Sequence, residues 1–194
     1  MRPICLSFIL LSCLIIEASG QEQKAYTNFP IIITLNFHAF ALPFRDIKAN
    51  FSNIGIGVGT EMSFTGSPTG VQQVQAIWYH NKAMGNGLML QTQSVWRPDF
   101  NSNAFGEIKG GVGYLYSFRP SESFQQVNSK WIAVGRKGKG MLTIPIGISA
   151  GINSRSSNTY ISNFISYQFL LVKDYNKSIP VVPETLIQVG SAIH

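Results

Sequence analysis

Three histidines and a thin scatter of hydroxyls, carboxylates and cations are what this sequence offers for chemistry. His80, in "IWYHNK", is the most enzyme-like of them. A general base needs a nucleophile at hydrogen-bond distance, yet two residues beyond it stands Lys82, not a hydroxyl. If residue 80 pairs with 87 on the next strand, Ser94 lies seven residues down, about 23 Å away at roughly 3.3 Å per residue. His38, with Asn36 and Thr34, reads as an interior polar group satisfied by its neighbours. No residue is therefore assigned as catalytic. "GIGVG" at 55–59 is not a nucleotide loop, because G-x-G-x-x-G would place glycine at Thr60 and no helix follows. "GRKGKG" at 135–140 lacks the G-K-[ST] step of a P-loop. Its Arg136, Lys137 and Lys139 either form a solvated basic turn or meet phosphate oxygens by charge attraction. The few His, Asp and Glu do not cluster as a metal site, and no cofactor is expected. Asn50-Phe51-Ser52 and Asn176-Lys177-Ser178 match the glycosylation acceptor pattern, which arises often by chance.

Five further charged residues, Glu61, Arg97, Glu107, Lys109 and Glu184, acquire meaning only through the elements that carry them. Apolar residues recur at every second position in segment after segment, the spacing of strands, and no stretch beyond about ten residues shows helical spacing. "NIGIGVGTEMSF" at 53–64 sets Ile54, Ile56 and Val58 against Gly55, Gly57 and Gly59. "AFGEIKGGVGYLYSF" at 104–118 sets Ile108, Val112 and Tyr114 against Glu107, Lys109, Gly111 and Gly113. "MLTIPIGISAGI" at 141–152 sets five aliphatics against Thr143, Gly147, Ser149 and Gly151. Each strand has one wide apolar face and one small or polar face.

Two architectures place these faces oppositely. A soluble barrel, such as a lipocalin-like carrier, turns the apolar face inward and leaves the glycine face to water, where Lys, Glu and Thr would be expected. A membrane barrel turns the apolar face to lipid and packs small and polar groups into a narrow lumen. There Glu61, Arg97, Glu107, Lys109 and Glu184 are available to pair with one another. The second arrangement accounts for the glycines, because a small barrel has little interior room.

The composition agrees with that choice. Charged residues make up 12% of the chain, about half the usual share of a soluble domain. Residues 1–20 read as a secretory signal: Arg2, an apolar run from Ile4 to Ile16, then Ala18 and Gly20 at the spacing of a cleavage site. Both cysteines, Cys5 and Cys13, fall within it. The run is too short to span a bilayer as a helix. What remains, 21–194, keeps a net charge of +6 because one cation and one anion leave together. That charge favours anionic lipid surfaces but is too dispersed for nucleic acid.

Strands are expected at 31–42, 51–64, 71–80, 87–97, 104–118, 139–152, 159–173 and 184–193, most near the roughly 9–11 residues of a tilted membrane strand. Parity leaves "WIAV" at 131–134 in a loop, and Pro145 suggests a bulge. With both termini on the periplasmic side, the connections there (65–70, 98–103, 153–158) are short, and the outer side receives the longest, 119–138 and 174–183.

Aromatic residues near strand ends (Trp78, Tyr79, Trp96, Tyr114, Tyr116, Tyr160, Tyr167) and the terminal "QVGSAI" complete a pattern. It resembles the small eight-stranded outer-membrane β-barrel proteins of Gram-negative bacteria, whose terminal assembly signal Gln188, Gly190 and Ile193 match in order. The resemblance implies an all-β, antiparallel, up-and-down transmembrane barrel preceded by a cleaved signal peptide and exported through the periplasm. It also implies insertion by the outer-membrane assembly machinery and contact with outer-membrane lipid and lipopolysaccharide. Eight strands enclose an interior that side chains fill, so no open pore is expected. A structural, binding or envelope-complex accessory role follows, with a protein complex of the envelope as a further partner. Two alternatives stand beside it: a lipid-modifying enzyme like the lipid A deacylases, using His80, and the soluble carrier.

Overall fold

A computed structural model describes residues 29–42, 44–45, 48, 51–82, 85–98, 103–118, 122, 124–127, 129–133, 135, 138–155, 160–175 and 180–194. The expected signal at 1–20, and Arg136 and Lys137, lie outside the described residues. Among the described residues ten strands form: β1 (Ile31–Ala39), β2 (Ile54–Met62), β3 (Gly70–Asn81), β4 (Gly85–Trp96), β5 (Ala104–Phe118), β6 (Phe124–Val127), β7 (Lys130–Ala133), β8 (Lys139–Arg155), β9 (Tyr160–Lys173) and β10 (Val181–Ile193). Eight of them close into one antiparallel barrel in the order β1-β10-β9-β8-β5-β4-β3-β2. β6 and β7 form a separate two-stranded sheet within the longest connection. Residues 131–133 thus take strand structure outside the barrel wall, which preserves the even strand number.

The register fixes the barrel's shape. Following hydrogen-bonded pairs from Ile33 through Val58, Ala76, Leu90, Tyr114, Leu142 and Lys173 leads to Val181, four residues past Thr185, which pairs with Ala39. One circuit therefore climbs ten residues. For eight strands this stagger means a tilt of about 43° and a radius near 8 Å, a lumen only wide enough for side chains.

The strands alternate, with Thr185 and Ile187 on β10 buried at outward parity, and the aliphatic side faces out. Ile56 is 65% exposed and Val58 57%, and Ile144, Ile146 and Ile148 on β8 are likewise exposed. Gly55 and Gly57 face the lumen, where glycine is sterically required. A Cβ at Gly55 would lie 2.5 Å from the Trp78 carbonyl oxygen and 2.7 Å from Tyr79 Cβ. The soluble carrier needed the opposite orientation, so this geometry removes it.

Three expectations need correction. Pro145 makes no bulge: Gly110 pairs with Ile146 and Gly113 with Thr143, so the register continues unshifted across it. Proline only withholds its own ladder bond there. The last strand begins at Val181 rather than 184, taking in Pro183. The inward face is not uniformly small and polar either. Ile77, Met89, Leu115, Met141, Leu170, Val172 and Leu186 cluster inside the end of the barrel away from the termini, with Tyr79 among them. Tyr79 is therefore a lumen residue, not part of an outer aromatic girdle.

Candidate functional site

The lumen is where the polar side chains converge, in three tiers. At the end carrying the termini, β2, β4 and β5 bring Glu61, Arg97 and Glu107 together. Arg97 Nη2 donates to Glu61 Oε1 at 3.1 Å, and Arg97 Nε donates to Glu107 Oε1 at 2.8 Å. Lys109 Nζ lies 3.0 Å from Glu107 Oε2 and donates to Gln73 Oε1 at 3.4 Å. Lys109 is 1% exposed, with its ammonium 5.0 Å above the Phe164 ring. Two cations and two carboxylates thus compensate one another where isolated charges would be untenable. Alternation explains the convergence, since 61, 97, 107 and 109 all sit at inward parity near one end of their strands.

The middle tier is a layer of amides. Gln168 Nε2 donates to Gln188 Oε1 at 2.6 Å, and Gln188 Nε2 donates to Asn36 Oδ1 at 2.8 Å. Gln91 Nε2 donates to Gln75 Oε1 at 2.9 Å and to Gln168 Oε1 at 3.4 Å. The link from β4 to β9 spans strands that are not neighbours in the sheet, so side chains cross the lumen here. A carboxamide can donate and accept, which suits it to such a layer without net charge.

The upper tier holds Glu184, apart from the other four charged residues. Its Oε2 is 2.9 Å from His38 Nε2, both side chains being fully buried. Asn81 Nδ2 lies 3.1 Å from His38 Nδ1, and the Tyr79 ring stacks on the imidazole at 4.1 Å. With Asn81 as donor to Nδ1, the imidazole carries its hydrogen on Nε2 and donates a hydrogen bond to Glu184 Oε2. Sequence reasoning placed His38 in the interior but did not join it to Glu184, because their contact spans 146 positions of chain.

His80 faces outward, and its hydrogen-bond partner is Asn86 Oδ1 at 2.6 Å. It pairs with residue 86, not 87, and Ser94 pairs with Gln72, eight residues further along β3. Ser94 hydrogen-bonds Gln72 Oε1. The two residues a hydrolase would need are at different heights on the barrel. Lys139 Nζ donates to the Tyr175 carbonyl at 2.8 Å, which ties β8 to the segment after β9. Gln188 lies in the lumen, Gly190 packs where a Cβ would meet Thr34 and Phe164, and Ile193 faces out. Among the described residues no three His, Cys, Asp or Glu gather as a metal site, and no helix is long and apolar enough to cross a membrane.

One loop feature was not anticipated. Phe44, after β1, folds back over the outer wall, stacks on Tyr167 at 4.7 Å and donates its amide to the Tyr167 hydroxyl at 3.0 Å.

Comparison with known proteins bears on the fold. No family model matches the chain. No curated protein matches it either. Among solved structures, Neisserial surface protein A superposes with a TM-score of 0.53 at 9% identity, over 86% of this chain and 97% of that one. The N-terminal β-barrel domain of Pseudomonas aeruginosa OprF gives 0.47 at 10% identity, over 84% and 95%. A de novo designed transmembrane β-barrel gives 0.44 at 11%, over 89% and 98%. The chain has the fold of the small eight-stranded outer-membrane β-barrels.

Proposed function

We propose that this chain is an integral protein of the outer membrane, a structural, binding or envelope-complex accessory barrel without an open pore and without catalytic activity. The observation that carries the reading is the division of the two faces: exposed isoleucine and valine all round the wall, and a lumen spanned by hydrogen-bonded glutamines. An outer surface of that kind is insoluble in water and suited to hydrocarbon. The apolar cluster under Tyr79 adds a second closure at the end away from the termini.

Within this reading residues 1–20 direct export, and Gln188, Gly190 and Ile193 are read by the assembly machinery. Arg136 and Lys137 contact lipopolysaccharide phosphates, while Lys139 supports the base of their loop through Tyr175. The absence of catalysis is supported by the pairing of His80 with Asn86 rather than with a hydroxyl. The test combines three measurements on the chain purified from outer membranes in detergent. It should shift its gel migration on heating, give no discrete conductance steps in planar bilayers, and release no fatty acid from lipopolysaccharide or phospholipid. Recovery in the soluble fraction would overturn the location, stable conductance steps the closed lumen, and fatty-acid release lost in His80→Ala the non-enzymatic role.

A further inference from the structure

The outer wall carries a cluster of polar side chains where β2, β3 and β4 meet. There Thr60, Gln72, Thr92 and Ser94 all point away from the lumen, in two adjacent rows of the register: Thr60 and Thr92 both pair with Val74, while Ser94 pairs with Gln72. Gln72 Nε2 donates to Thr92 Oγ1 at 2.6 Å, and Ser94 Oγ donates to Gln72 Oε1 at 2.9 Å. The hydroxyl of Thr60, buried against the wall, has no hydrogen-bond partner. Lipid-facing positions of a barrel are ordinarily apolar, and polar groups in hydrocarbon must find partners in protein.

Depth separates this cluster from a harmless polar rim. It is bounded toward the termini by Gly70, Trp96 and Ile108, and toward the other end by Val58, Leu90 and Tyr114. At an axial rise of roughly 2.4 Å per residue for strands tilted near 43°, Ser94 and Thr92 stand about 5 and 10 Å above Trp96. Lipid headgroups do not reach that level. A second outward polar pair, Asn163 and Ser191, joined at 2.6 Å, stands on the β9–β10 side of the wall, three residues above Tyr160. Beside the cluster, the wall is also open to close approach: a Cβ added at Gly70 or Gly110 would meet nothing within 4 Å.

We propose that this wall is a docking surface for a second copy of the chain, closed inside the membrane by the Gln72, Thr92 and Ser94 cluster. The inference rests on the membrane placement proposed above. The cluster's own chemistry selects the occupant. A primary carboxamide has two donor hydrogens and two acceptor lone pairs, and Gln72 spends one hydrogen on Thr92 and one lone pair on Ser94. What remains is one donor and one acceptor, the complement of an identical amide. A two-fold axis along the membrane normal brings every residue to its counterpart at the same depth, so Gln72 meets Gln72 without adjustment. The glycine notches let the two backbones come close enough for that contact.

The test uses the full chain with Cys5→Ser and Cys13→Ser, expressed in a Gram-negative host, with membranes oxidised by copper phenanthroline. Ser94→Cys should give a disulfide-linked species of twice the chain mass. Ile165→Cys, exposed on β9 three strands round the barrel from β4, should give several-fold less. The triple variant Gln72→Leu, Thr92→Val, Ser94→Ala should keep its heat-modifiable migration yet run as a monomer where the parent runs as a dimer. Equal cross-linking at both cysteines, none at Ser94→Cys, a product of another mass, or a triple variant that stays dimeric would each overturn the proposal. Absence of the parent from the membrane fraction would instead strike down the placement on which it rests.

Discussion

At the residue scale, the lumen depends on buried charges that compensate one another. Arg97 is the pivot at the terminal end because it pairs directly with both Glu61 and Glu107, and its side chain is 16% exposed. Arg97→Ala removes the guanidinium from two buried carboxylates and should cost about 3 kcal/mol, toward the lower end for a broken buried pair because the guanidinium is partly solvated. The measurement is the urea midpoint of the heat-modifiable band in detergent, and a midpoint equal to the parent's would contradict the role given to Arg97. His38 and Glu184 behave as a unit in a different way. Removing either one costs the other its partner beside Tyr79 and the apolar cluster, whereas removing both leaves neither carboxylate nor imidazole there, and the Asn81 amide loses its contact with the ring. His38→Leu with Glu184→Leu should therefore be more stable than Glu184→Leu with His38 retained, a coupling of about 1–3 kcal/mol by double-mutant cycle. Additive losses would show that the contact carries no coupling.

At the element scale, alternation was the legible part. The two-residue period in 53–64, 104–118 and 141–152 was enough to locate the strands, and the glycines opposite the aliphatics decided which face looks outward. Strand ends were less legible. β10 starts three residues early because Pro183 is tolerated at an outward position, and Pro145 costs a ladder bond without shifting register. The lumen charges at 61, 97, 107 and 109 could be grouped from parity, but Glu184 could not be assigned to another tier without the stagger of the barrel. The glutamine layer carried no local signature, since each amide finds its partner on a strand distant in sequence. Two substitutions test the faces separately. Gly59→Val places a Cβ 2.5 Å from the Val74 carbonyl oxygen and 2.7 Å from Gln75 Cγ, and should abolish the heat-modifiable form. Ile146→Arg adds no clash but puts a cation on the lipid-facing wall, at a cost of about 2–4 kcal/mol near the midplane. A soluble barrel would tolerate Ile146→Arg with little change, so a neutral result there would contradict the membrane assignment.

At the scale of the whole molecule, a barrel of eight strands and a stagger of ten residues is a closed wall around a filled interior, and its distinguishing chemistry lies on its outside and at its loop end. The Phe44 segment laid on Tyr167, the separate β6–β7 sheet with Trp131 exposed, and the Gln72 cluster are places where that wall departs from plain aliphatic. All three take their meaning from one assignment, that hydrocarbon surrounds the isoleucine face. The most direct measurement is a spin-label scan of consecutive positions on β8, 143 to 149 excluding Pro145, introduced one at a time as cysteine into the chain with Cys5→Ser and Cys13→Ser and reconstituted in phospholipid vesicles. Collision with dissolved oxygen should be high at 144, 146 and 148 and low at 143, 147 and 149, while a water-soluble nickel chelate should quench the outward three poorly. Strong nickel access at 144, 146 and 148, or no two-residue period at all, would contradict the account.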